Sequence, residues 1–178
     1  MSKPRPPKSA MPFANFFFVN KEKLDEALRR MDDLLGERCF TSKVTPFDIS
    51  DYYEKEMGNG IMRMFAAWRN LVDPSELIEI KKFTWELEEF LQETSPGRPV
   101  NIDPGLIEEG KIILATGKSS AHRPYLRDGV YADLTLIYER KSYRPLPWTY
   151  PDYASSPIIE MFNMLRTQYL KYLKSKSF

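Results

Sequence analysis

An α+β fold is predicted: a largely antiparallel sheet with helices on one face, built on a ferredoxin-like (split βαβ) core with extra strands and a C-terminal helix. Three observations carry that expectation. Apolar or alternating runs at residues 13–19, 61–70, 111–116 and 130–138 have the period of strands. Two helical stripes fall between strands in the order β-α-β-β-α-β, the split βαβ order. A last helical stretch opens at Ser156-Pro157.

Each element has a local reason. Phe13 to Val19 is dense in aromatics and suits a buried first strand. Asn20 can cap the next helix, whose Leu24, Ala27, Leu28, Met31 and Leu35 recur at helical spacing until Gly36 offers a left-handed stop. A half-exposed strand follows over residues 38–44, then a turn-rich acidic stretch over 45–59. Residues 61–70 alternate and read as a strand, although periodicity alone leaves a helix open there. Asp73-Pro74-Ser75-Glu76 has the form of a capping box with proline at the first helical position. Leu77, Ile80, Thr84, Leu87 and Leu91 stripe the helix behind it, and Pro96-Gly97 ends it. Strands are expected at 111–116, 130–138 and 143–146. In the last helix Ile158, Met161, Phe162, Leu165, Tyr169 and Tyr172 face inward, with Lys171 and Lys174 complementing its dipole.

At 178 residues one domain is expected over 11–178, behind a Pro- and Lys-rich mobile arm over 1–10. A formal net charge of +1 supplies no global pull toward nucleic acid or an anionic membrane, so nucleic acid is disfavoured as a partner. The one cysteine, Cys39, rules out an intrachain disulfide and a multi-cysteine zinc site. The apolar run near the start is too short, and is broken by Asn15, to act as a secretion signal. No stretch approaches the ~20 apolar residues of a membrane span. A cytoplasmic location is the resulting expectation.

The chemistry-bearing residues concentrate between Val100 and Tyr131. Asn101-Ile102-Asp103-Pro104-Gly105 reads as a turn, since proline sets φ and glycine permits positive φ. Gly117-Lys118-Ser119 has the tail of a phosphate-binding P-loop, but Ile112 stands where the loop needs glycine and no helix is expected after Ser119. The P-loop reading is therefore rejected. His122-Arg123-Pro124-Tyr125 is the most suggestive tetrad, joining a group that titrates near neutrality to a planar anion-binding fork. A structural, hydrogen-bonded histidine is the competing account. Asp133 and Thr135 form a polar row with Tyr131 on one strand face, either a site or a solvated face. Asp48, Asp51, Glu54 and Glu56 are either a capped acidic turn or a metal and general-base site, and capping is favoured. Trp148 to Tyr153, rich in aromatics, is either a lid or a packed corner.

Several of these motifs in this order resemble one family. DYYEKEMG (51–58), NIDPG (101–105), LATGK with HRPYL (114–126), GVYADLTL (129–136) and WTYPDY (148–153) are similar to the bacterial and archaeal domain-of-unknown-function family 4416. The resemblance covers nearly the whole chain. It implies no established activity and so carries over no catalytic residue. The family pattern also leads us to expect an arginine after YPDY, where Ala154 stands, and an aliphatic residue at Pro124. The first departure takes a cation away from Asp152.

The leading expectation is a small cytoplasmic protein that binds, and acts on or merely holds, an anionic or phosphate-bearing small molecule near His122 and Arg123. His122, Asp103 and Glu56 are the candidate acid, base or metal-ligating groups. Asn101, Lys118, Arg123, Tyr125, Asp133, Tyr150 and Asp152 are the candidate ligand contacts. Cofactor and metal are left open. The alternative is a non-catalytic module gripping a protein partner with exposed aromatics such as Tyr52, Tyr53, Trp148 and Tyr150.

Overall fold

The structure is a computed structural model that describes residues 3–47, 54–93 and 97–175. Among the described residues, nine strands make one antiparallel sheet in the order β2-β4-β1-β5-β6-β8-β7, with β3 (Thr45–Pro46) beside β4 and β9 (Ser142–Pro145) beside β8. The path strands are β2 (Arg38–Thr41), β4 (Met62–Trp68), β1 (Met11–Phe18), β5 (Val100–Ile107), β6 (Lys111–Thr116), β8 (Val130–Glu139) and β7 (Tyr125–Arg127). Helix α1 (Lys21–Leu35) links β1 to β2, and α3 (Leu77–Gln92) links β4 to β5.

Strand β1 sits near the middle of the sheet and every one of its residues is buried. Its two faces enter different cores, as period-two geometry requires. Ala14, Phe16 and Phe18 pack with α1 and α3 through Leu24, Met31, Ile80 and Leu91. Met11 and Phe13 pack on the other face with Phe162, Leu165 and Tyr169 of α4 (Ser156–Ser175). The helices therefore cover both faces, not one. A strand apolar on both sides needs a cover on each, which the single-face expectation did not provide.

Local chemistry sets the helix starts as anticipated. The Asn20 side chain accepts from the Lys23 N–H at 3.0 Å, opening α1. Asp73 accepts from the Ser75 N–H while Glu76 accepts from the Asp73 N–H, both at 2.9 Å, and a 3-10 turn over Pro74–Glu76 runs into α3. The segment expected to be a mobile arm is held at its end. Ala10 and Val72 exchange backbone hydrogen bonds, and the Tyr169 hydroxyl donates to the Ser9 carbonyl at 2.9 Å.

The Asp103-Pro104-Gly105 turn does not form. All three residues lie inside β5, with Asp103 opposite Asn15 and Gly105 opposite Phe13. Pro104 brings no N–H to a ladder, so it belongs where pairing stops. Gly105 is required by close approach: a Cβ there would lie 2.5 Å from the Ile113 carbonyl oxygen and 2.6 Å from the Phe13 ring. Turn chemistry was the wrong inference because the same two residue types also mark crowding and the end of a ladder.

That end of pairing makes the cleft. Strands β5 and β6 pair only from Gly105↔Leu114 to Ile107↔Ile112, while β6 goes on pairing with β8 as far as Thr116. Beyond Gly105 the sheet is therefore parted between Asn101–Asp103 on one side and Ala115–Lys118 on the other.

A candidate cleft between two parted strands

The parting opens a cleft of about 740 Å³ on the α4 face, within the few hundred to ~1,000 Å³ typical of small-molecule sites. Its floor comes from neighbouring strands. Asn15 and Phe17 of β1 stand opposite Asp103 and Asn101 of β5. Behind the opening, α3 contributes Lys81 and Trp85 to the lining. The β8 carboxylate Asp133 and the segment Tyr150 to Tyr153 form the far wall.

At the floor, the Asn101 amide donates to Asp103 Oδ2 at 3.0 Å. The Lys81 ammonium, on a residue only 4% exposed, donates to the Ile102 carbonyl at 3.1 Å and lies 3.8 Å from Asp103 Oδ1. It also sits 5.5 Å from the Trp85 ring centroid. Deeper on the same helix, buried Glu88 accepts from the Ile102 N–H at 2.6 Å and pairs with Arg98. Burial pushes the Glu88 carboxyl up from the usual range, and Lys81 and Arg98 pull it partly back.

At one end, Arg63 of β4 is enclosed by the rings of Phe65, Tyr153, Phe17 and Phe47, at 4.4, 5.5, 5.7 and 5.8 Å. Its Nε donates to Asn15 Oδ1 at 3.1 Å. Its Nη2 lies 2.9 Å from Asp152 Oδ2, an ion pair without hydrogen-bond alignment. The cation that position 154 does not supply to Asp152 thus arrives from β4. The hydroxyl of Tyr153, a residue 2% exposed, makes no hydrogen bond among the described residues, and Asn15 stands beside it short of hydrogen-bond geometry.

Burial pushes the Asp152 carboxyl up, and the Arg63 attraction only partly offsets this. The folded chain therefore keeps that proton to a higher pH than the unfolded chain, whose aspartates titrate near about 3.9. Asp152's contribution to stability is complete below that value and is lost as pH rises through the raised folded one. Urea midpoints of wild type and Asp152→Asn, compared from pH 4 upward, should drift in favour of the variant and then level off. A trend the other way would mean that the ion pair outweighs burial.

At the other end, Arg123 is a latch. Its Nε donates to Asp133 at 2.7 Å, Nη1 to the Lys118 carbonyl at 3.3 Å and Nη2 to the Tyr150 hydroxyl at 2.8 Å. The fork expected to hold a ligand instead ties three segments of the wall together. His122 sits behind this latch. Its Nδ1 meets Ser120 at 3.1 Å, its Nε2 lies 3.6 Å from Asp133, and its ring stacks on Trp148 at 5.2 Å. It does not line the cleft. Tyr125 lies on the edge strand β7, 58% exposed and packed on Tyr131, and is likewise not part of the lining.

The remaining candidates, Glu56, Asn101, Asp103, Lys118, Asp133, Tyr150 and Asp152, all line the cleft. Glu56, on the short helix α2 (Glu54–Met57), accepts from Arg98 at 3.3 Å. Asp133 and Thr135 are buried, so the polar row they begin is not a solvated face. Asp48 and Asp51 lie outside the described residues, as do Tyr52 and Tyr53. No helix follows Ser119, in keeping with the rejected P-loop. Among the described residues, no group of three His, Cys, Asp or Glu side chains is arranged to hold a metal ion.

Sequence reasoning passed over Asn15, Arg63, Lys81, Trp85, Glu88 and Arg98. A signal existed for two of them. Lys81 and Glu88 stand four and eleven residues beyond Leu77, on the inward stripe of α3. Charged residues on an apolar face need partners or a cleft.

The profile of a family described as a domain of unknown function (DUF4416) matches residues 8–169. The chain belongs to this family. Comparison with curated proteins and with solved structures finds no match. Membership in DUF4416 agrees with the resemblance carried by the NIDPG, LATGK and WTYPDY motifs, whose residues line much of the cleft. Among the described residues, no helix is long and apolar enough to cross a membrane.

Proposed function

We propose that this protein is a cytoplasmic binder of a small molecule carrying an anionic group, a phosphate or a carboxylate, which enters the cleft between β5 and β6. One observation carries the reading: α3 passes a buried lysine through the parted sheet to the cleft floor. Burying an ammonium is costly unless it meets an anion. Lys81 has a carbonyl at 3.1 Å and its carboxylate neighbour only at 3.8 Å, which leaves it N–H donors for a ligand. Lys118 stands on the facing wall. Asp103 is the group best placed to exchange a proton with anything bound beside Lys81.

The rival reading, a protein-gripping aromatic surface, is less well supported. Trp148 and Tyr150 are 40% and 46% exposed, but the Trp148 N–H donates to the Leu134 carbonyl and Tyr150 holds Arg123. Tyr150 lines the cleft and Trp148 stacks on His122 behind the Arg123 latch.

We further infer that β1, α1, β2, β4, α3 and β5 make a ferredoxin-like split βαβ core. The order β2-β4-β1-β5, with α1 and α3 packed together on one face, supports it.

The test is a thermal-shift screen with inorganic phosphate, sugar phosphates and small carboxylates. A compound at 100 times its Kd stabilises by about 2.7 kcal/mol. That shift should vanish in Lys81→Met, which keeps the apolar stem and removes the charge. A shift of equal size in the variant would remove Lys81 from the site.

A further inference from the structure

Among the described residues, four cations line the cleft, Lys81, Arg98, Lys118 and Arg123, and so do four carboxylates, Glu56, Asp103, Asp133 and Asp152, so the formal charges of that lining sum to zero. Each of those carboxylates has a cation against it: Arg98 at Glu56, Lys81 at Asp103, Arg123 at Asp133 and Arg63 at Asp152. A polyanion entering this cleft would find no net positive charge among the described lining residues, whereas a ligand bearing both signs can match each of its charges to one half of a pair.

The loosest of the pairs marks where it would bind. Lys81 and Asp103 are 3.8 Å apart, beyond hydrogen-bond length, whereas the Arg123–Asp133 and Arg63–Asp152 contacts are 2.7 and 2.9 Å. Asp103 Oδ2 is occupied by the Asn101 amide, and Oδ1 faces Lys81 without a hydrogen bond. With its side chain 28% exposed, Asp103 is open to the cleft. The buried Tyr153 hydroxyl, also in the lining and unpartnered among the described residues, supplies a further acceptor.

From this we infer that the ligand is a zwitterion, a molecule with a primary amine and an acid group a few bonds apart, whose ammonium sits on Asp103 and Tyr153 and whose acid group sits on Lys81. The ligand inserts between the two halves of a long ion pair and replaces it with two short ones. A carboxylate zwitterion brings no net charge into the cleft, and an amine-bearing phosphate monoester brings about one negative charge at most. The inference rests on the anion-binding reading above and adds the amine to it.

The experiment uses the full chain and matched probes that differ in the amine: O-phosphoethanolamine against ethyl phosphate, and β-alanine against propionate. Titration calorimetry should show the amine-bearing member of a pair binding at least about tenfold tighter, equivalent to about 1.4 kcal/mol. Asp103→Asn, which keeps the shape and removes the charge, should collapse that preference, while the amine-free partner should bind the variant at least as tightly as wild type because the carboxylate beside Lys81 is gone. Tyr153→Phe should reduce the preference by less. Equal binding of both members of each pair overturns the zwitterion and leaves the anion site standing. An amine preference that survives in both variants overturns the assignment to Asp103 and Tyr153. No binding by any of the four probes overturns the anion reading and this inference with it.

Discussion

Replacing Arg63 by alanine is expected to lower the unfolding free energy by about 3–5 kcal/mol, the usual cost of removing one partner of a buried ion pair. The guanidinium is 6% exposed and answers three demands at once. It neutralises Asp152, bonds Asn15 and fills the space between four aromatic rings. Alanine leaves a buried carboxylate unpaired and a void among Phe17, Phe65 and Tyr153. Asp152→Asn should cost much less, because an amide can remain buried without charge. Arg63→Met with Asp152→Leu should recover much of the loss, since apolar replacement of a buried pair is often neutral or stabilising. Urea denaturation of the four proteins tests this. If Arg63→Ala costs no more than Asp152→Asn, the pair is not what holds this end of the cleft.

Gly105→Ala should destabilise by about 3 kcal/mol, the upper part of the usual overpacking range. The added methyl would meet the Ile113 carbonyl on one side and the Phe13 ring on the other, and neither is the yielding end of a flexible chain. Gly110 is the control. It has open space at its Cβ and no positive φ, so Gly110→Ala should be neutral or stabilising by about 0.4–1 kcal/mol through the unfolded state. The Gly105 variant should also lose amide-exchange protection at Leu114, since Gly105↔Leu114 is the last pair before the strands part. Protection equal to wild type there, with unchanged stability, would show that the approach of β5 to β6 is looser than described.

Much of the element order was legible along the chain, because it depends on neighbours in sequence. Asn20 caps α1 and Asp73 with Glu76 opens α3 through contacts two or three residues away. Strand β6 falls on the apolar run expected to form it, 111–116, and α4 begins at Ser156 as expected. Most cleft-lining candidates were also named in advance, Asn101 and Asp103 in a segment read as a turn and Asp133 in a polar row on its strand. What such reasoning could not supply was their partners. Asp152 meets Arg63, 89 positions away, only because β4 lies beside β1.

Composition and periodicity by themselves determined an α+β chain with capped helices, a doubly apolar first strand and a concentration of polar groups near residue 101. Tertiary structure alone decided the rest. It turned Asp103-Pro104-Gly105 from a turn into a strand, because the crowding that demands glycine comes from Phe13 and Ile113 and not from its own φ. It made Arg123 a latch and brought Lys81 through the sheet, because only the ending of the β5–β6 ladder at Gly105 leaves room for a helix side chain to reach the opposite face. Backbone pairing between distant segments is a property of the assembled sheet, and the cleft exists where that pairing stops.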